Sequence, residues 1–219
     1  MLELKDARKL NPGLNPELFL PSPRDVLEAM DKKPVKDWLS FIAAQHVAPR
    51  RKLLLFIPCA EKKPYYPPRD ELHERLLELE RKYGVYLCSV SEPLALEPRE
   101  FWSFKWKGEN LVYDAPFFPW IEKYGYKWDS KLAAQVWRRL SRVVHRWFSR
   151  NRGNFQHVLA LACPGSGYRR ILSRIEVEKF IPEKCPDIEA TYEENVSRIY
   201  THPAVWSELE EKLKEIFGE

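Results

Sequence analysis

No apolar run in this sequence approaches the roughly 20 residues a helix needs to cross a bilayer. Its opening, MLELKDARKL, lacks the apolar core of a secretory signal. The expectation is a cytoplasmic protein without a membrane partner. Cysteine is scarce: Cys59, Cys88, Cys163 and Cys185 form no C-x-x-C pair, and the histidines show no zinc spacing. No metal or other cofactor is therefore expected. Cys59 and Cys163 each follow an apolar run and read as small buried hydrophobes near sheet ends. The phosphate-loop pattern G-x-x-x-x-G-K-[ST], the dinucleotide pattern G-x-G-x-x-G and the hydrolase pattern G-x-S-x-G are all absent. Glutamine occurs three times and methionine twice in a chain rich in Lys and Glu, a bias that leans towards a thermophilic source. There is no internal repeat and no low-complexity segment.

What is present describes a folded chain. Of 219 residues, 44% are apolar and 13% aromatic, enough for one sizeable core. The net charge of +4 is mild, so its distribution matters more than its size. Residues 1–50 read as an N-terminal helical extension. Ser22-Pro23 starts a short helix, and VKDWLSFIAAQHV places Trp38, Phe41 and Ile42 on one face. Residues 51–180 read as an α/β core. Four apolar strands are expected, at 52–59, 85–93, 110–116 and from 157, with helices over 70–84 and 129–150. Residues 181–219 read as a helical tail, with helices over 191–200 and 203–219. The second carries Val205, Leu209, Leu213 and Ile216 on one face. The pattern predicts a three-layer α/β sandwich around a short, mainly parallel four-stranded sheet. Its ligand site should lie outside the C-terminal strand ends.

Those strand ends carry the chemistry. In IPCAEKKPYYPP, Cys59 leaves a buried strand with Lys62 and Lys63 close behind. Nearby ammonium groups favour a thiolate and hence a nucleophile; a turn with solvated lysines and a packed Tyr65 is the other reading. In CPGSGYRR, Gly165, Ser166 and Gly167 lead from a strand into a helix. They form either an anion-binding turn of free N–H groups or a tight β–α connection. Glu92 and Asp114 are strand-end carboxylates, suited to binding a base edge, polarising a water or capping a helix. His73 sits on the helix after the first loop, facing the site or the solvent. On the long helix, Arg138, Arg142, Arg146 and Arg150 recur every fourth residue, with Arg139 beside them. They form either a ridge for a phosphate backbone or a solvated, ion-paired face.

Taken together, these segments resemble the α/β domain of the archaeosine synthases, archaeal tRNA-modifying relatives of tRNA-guanine transglycosylase. Pro58, Cys59, Lys63, Pro64 and Tyr65 match the family motif P-C-x3-K-P-Y-x2-S-x2-H, and SVSEPLALEPRE and VYDAP resemble two further family segments. Pro68 and Glu71 stand where the motif has serine and histidine. The resemblance covers roughly residues 50–175 and implies a fold like that of uracil-DNA glycosylase. It implies handling of a modified purine in tRNA, with addition of an amine to the nitrile of 7-cyano-7-deazaguanine. In that reading Cys59 attacks the nitrile, Lys63 stabilises the developing charge, and Pro58 and Tyr65 help hold the base. The arginine helix contacts RNA, and a separate transglycosylase-like or RNA-binding subunit supplies what the chain lacks. A non-catalytic RNA-binding adaptor and a base-excision enzyme are the alternatives.

Overall fold

A computed structural model describes residues 3–188 and 195–218. The N-terminal segment forms α1 (Leu4–Leu10), α2 (Pro23–Ala29) and α3 (Val35–Ala44). Ser22 caps α2 in a reciprocal box with Asp25, and Pro23 opens the helix, as Ser-Pro predicts. On α3, Trp38 and Ile42 are buried, and Trp38 Nε1 donates to the carbonyl of Leu94 at 3.0 Å.

The core continues as β1 (Arg51–Pro58), α4 (Glu71–Tyr83), β2 (Tyr86–Ser91) and β3 (Ala95–Pro98). Next come β4 (Lys105–Trp106), β5 (Glu109–Asn110), α5 (Ser130–Asn151), β6 (Phe155–Leu161), α6 (Gly167–Ile171) and β7 (Lys179–Ile181). The chain closes with α7 (Asn195–Tyr200) and α8 (Pro203–Phe217). Of the helix expected over 191–200, residues 191–194 lie outside the described part. Asp70 caps α4 and Gly84 ends it at φ 64, a left-handed position that glycine takes without strain.

The sheet is mainly parallel as expected, but it has five strands instead of four and one antiparallel edge. The strand order is β3-β2-β1-β6-β7. β1 pairs in parallel with β2 and β6, β6 in parallel with β7, and β2 antiparallel with β3. Residues 111–116 form no strand of this sheet. β5 pairs only with β4 in a separate ribbon, and Asp114 makes a single parallel bridge to Phe19. The VYDA segment is thus held by the N-terminal extension: Asp114 N donates to Leu18 O and Leu20 N to Asp114 O. The expected third strand is replaced by two edge strands. β3 returns from β2 through the short turn at Glu92–Leu94, and β7 follows α6.

β1 is buried from Leu53 to Pro58, so both faces of the sheet are covered. α2, α3 and α6 pack on α5, while α4, α7 and α8 form a second group, with α4 also meeting β2 and α8 meeting β7. One contiguous core takes in Val26 and Trp38 from the extension, Leu55 and Val144 from the middle, and Leu209 and Leu213 from the tail. Cys163 is buried near the sheet end as expected, but it is bonded to Cys185 in a disulfide instead of packing as a lone small hydrophobe. Cys88 is the free, fully buried cysteine. From β1 the chain steps to β2 on one side and later returns to β6 on the other. The topological switch point therefore falls between β1 and β6, at the carboxyl ends where α/β sheets bind ligands.

Candidate functional site

Three connections meet at that edge. The first leaves β1 at Cys59, the second leaves β2 at Glu92, and the third leaves β6 through Cys163 to Gly167. Together with residues 115–137 they enclose a cavity of about 380 Å³ whose walls include Cys59, Glu92, Phe117, Trp128, Trp137 and Tyr168. That volume falls in the roughly 300–1,000 Å³ range of small-molecule sites. A smaller space of about 40 Å³, lined by Glu61, Lys63 and Asp114 among others, lies on the other side of Cys59.

The first loop is held from behind by the N-terminal segment. Asn11 Oδ1 accepts from Lys63 N at 2.6 Å, its Nδ2 donates to Glu61 O at 2.8 Å, and Arg69 bridges the carbonyls of Lys63 and Leu10. The side chains point otherwise than the motif suggests. Tyr65 is fully buried, stacked on His73 at 4.3 Å with Trp102 and Phe104 edge-on, so neither ring face is open to a ligand. His73 is equally buried, with Nδ1 on the Asp70 carboxylate at 2.9 Å, neither at the site nor at the surface. Lys63 is buried as well. Its Nζ donates to Ala60 O at 2.6 Å and lies 4.1 Å from the centre of the Tyr113 ring. Pro58 is the last residue of β1, buried in the sheet.

Cys59 is half-buried and opens to both spaces. It shares a hydrogen bond with Tyr168 Oη at 3.4 Å. Burial pushes its thiol up to about 12; the Lys63 ammonium pulls down but does not win, and Glu97 and Glu92 push further up. The thiolate expected from the neighbouring lysines therefore does not form at neutral pH. Desolvation of the sulfur outweighs one nearby cation.

Glu92 begins the β2–β3 turn and faces the cavity while only 5% exposed. Its Oε1 accepts from Trp137 Nε1 at 2.7 Å. Burial raises its carboxyl from an ordinary 4.5 to about 7, and the indole bond only partly offsets this. A Cβ on Gly167 would lie 2.7 Å from both Glu92 Oε1 and Trp137 Nε1. Gly167 is thus the close-approach residue that lets the third loop close over this bond. The same packing bears on the two readings of the CPGSG turn. α6 is only five residues long, Ser166 Oγ caps it by accepting from Arg169 N, and a carboxylate already abuts its start. An anion there would meet Glu92, which favours the tight β–α connection, while Gly165, Ser166 and Gly167 still line the cavity. Arg169 pins it to the β7 end, donating to Ala162 O and Pro182 O.

The aromatic wall is what the sequence reading missed. Phe117 packs edge-on against Trp128 at 5.3 Å and Trp137 at 5.6 Å, and Trp128 lies 6.3 Å from Trp137. The available signal was six aromatics in the non-periodic stretch from Phe117 to Trp128, in no strand or helix core pattern. Asp114 borders the smaller space at 3% exposure. Along α5, Arg138, Arg142, Arg146 and Arg150 are exposed, while Arg139 is taken up by Asp31 in a two-pronged pair at 2.7 and 3.0 Å. Among the described residues there is no cluster of metal-ligating side chains, and no helix is long and apolar enough to cross a membrane. Compared with models of known protein families, with curated proteins and with solved structures, the chain has no match in any of the three.

Proposed function

We propose that this protein binds a purine base or nucleotide in the aromatic cavity, in the service of tRNA modification as the resemblance to archaeosine synthase suggests. One observation carries the reading: a buried carboxylate, held by an indole N–H, lies inside an aromatic-walled cavity at the switch point of the sheet. Phe117, Trp128 and Trp137 offer ring faces and edges to a planar heterocycle. Glu92 offers acceptor oxygens to its N–H edge, which guanine-type rings present and plain aromatics do not. The test is equilibrium dialysis of guanosine and of the base 7-cyano-7-deazaguanine, with uridine as control. Binding of uridine as tight as that of guanosine would count against a purine site.

The raised Glu92 carboxyl sets a pH signature. A ring that donates N–H bonds needs the ionised form, so affinity should level off above pH 7 and fall about tenfold per unit below it. Glu92→Gln should bind more weakly and lose that pH dependence. Stability moves the other way. Between an ordinary 4.5 and about 7 the folded state holds a proton that the unfolded chain has released, so stability falls as pH rises through that window. A pH-independent affinity in the parent protein would rule out Glu92 as the acceptor.

A second reading adds catalysis, and the position of Cys59 between the two spaces favours it. The neutral thiol adds across a nitrile: sulfur bonds to carbon and the thiol proton goes to nitrogen, giving a thioimidate. An amine then adds at that carbon and expels the thiol, leaving an amidine. Mass spectrometry of tRNA bearing the nitrile base, incubated with lysine, should show the amine adduct with the parent protein and none with Cys59→Ala. No adduct in either favours a binding adaptor, and an adduct in both removes the covalent step.

A further inference from the structure

The geometry points to a track for a polynucleotide backbone that starts at the cavity mouth and runs along α5. It is formed by Arg170 of α6 and by Arg138, Arg142 and Arg146 of α5. It rests on the base-binding reading for its starting point, though not for its charge.

α5 begins at the cavity, where Ser130, Ala134 and Trp137 line the wall, and runs away from it. Arg138 directly follows Trp137, and each later arginine stands four residues, or about 6 Å, further on. Arg170 lies over the Trp137 ring at 4.8 Å and lines the same cavity. All four are exposed, and among the described residues none of them pairs with a carboxylate. Their neighbours are engaged: Arg139 by Asp31, Arg169 by two backbone carbonyls, and Arg150 by the Ala43 carbonyl at 3.4 Å. α6 packs on α5, and the segment just after it is tied there by His145 Nδ1 donating to Arg174 O at 3.1 Å. Like charges four residues apart on a helix repel. A row kept without acidic partners is therefore one that an external polyanion relieves, and the guanidinium fork matches phosphate.

The occupant is a single strand of nucleic acid. The track starts at an aromatic-walled cavity of about 380 Å³, and a base enters such a space only when unpaired. An acidic protein surface would match the charge but would bring no ring to the cavity.

The test is fluorescence anisotropy with labelled RNA of about twelve nucleotides, enough to cover the track. The same sequence as DNA and as an RNA duplex provides two further arms, and poly-glutamate serves as competitor. Four phosphate contacts on a single strand predict a log–log salt slope of about −3. The variant Arg138→Gln/Arg142→Gln/Arg146→Gln should bring it to about −1 and lower affinity at least about tenfold at moderate salt. Lysine at the same three positions should keep the slope. RNA and DNA strands should both bind, because the shared group is phosphate, and the duplex should bind more weakly. The proposal is overturned if the glutamine variant binds the strand like the parent, if the duplex binds as tightly, or if poly-glutamate displaces the strand at equal charge. Guanosine dialysis keeps the two readings apart. Arginine-dependent strand binding without guanosine binding leaves the track standing and removes the base site.

Discussion

Trp137→Ala should lower purine affinity by about 100-fold or more, the largest effect of any single substitution at the site. Two losses combine. A base stacked on an aromatic side chain is worth about 1–3 kcal/mol by alanine replacement. Trp137 also gives Glu92 its hydrogen bond at 2.7 Å, and bonds to charged groups are worth about 1.5–3 kcal/mol. Without the indole the carboxylate loses the partner that fixes its direction and resists its protonation. Trp137→Phe should restore much of the stacking but not the bond, leaving an intermediate affinity with the pH midpoint moved upward. Dialysis of guanosine across pH 5.5 to 8.5 separates the two contributions. An alanine variant with parental affinity would exclude this wall from ligand contact. Trp137 is half-buried at the cavity, so the fold should survive the change better than at fully buried Trp147.

Breaking the Cys163–Cys185 disulfide should cost about 3 kcal/mol, from the chain-entropy cost of a 22-residue separation. For a chain of this length that is a fall of roughly 6–12 °C in the unfolding midpoint. Cys185→Ser should show the fall without reductant and be insensitive to dithiothreitol, while the parent should fall only when reduced. A parental midpoint unmoved by reduction would remove the bridge as a source of stability. The site should register the change too. Cys163 directly precedes the Pro164–Gly167 turn, and its N–H donates to Tyr200 Oη at 2.9 Å. The bridge ties that turn to the segment after β7, so its loss should weaken guanosine binding more than its distance from the ligand suggests.

Much of the framework was legible along the chain. LLLFIPC reads as a strand covered on both faces, Asp70 and Gly84 bracket α4, Asp129 starts α5, and Val205, Leu209, Leu213 and Ile216 form one buried face of α8. Each is a local pattern of periodicity or capping, set by chain geometry within a few residues. The convergence of Cys59, Glu92 and Gly165–Gly167 followed from the same patterns, because strand ends in a parallel sheet share one edge.

Other features depended on neighbours remote in sequence. VYDAP has strand-like composition but pairs with Phe19 of the extension instead of the sheet. LALEP and KFI, too short to stand out, became edge strands through pairing with β2 and β6. Lys63 reads as a reactive-site or solvated lysine and Tyr65 as base-holding or packed, yet Asn11, His73 and Trp102 enclose them both. The sequence by itself determined the α/β class, the placement of the main helices and the edge where a site forms, because those depend on local propensity and periodicity. Only the tertiary structure decided which side chains face the cavity and how they ionise. Burial, more than any neighbour in sequence, keeps Cys59 a thiol and lifts Glu92 towards neutrality.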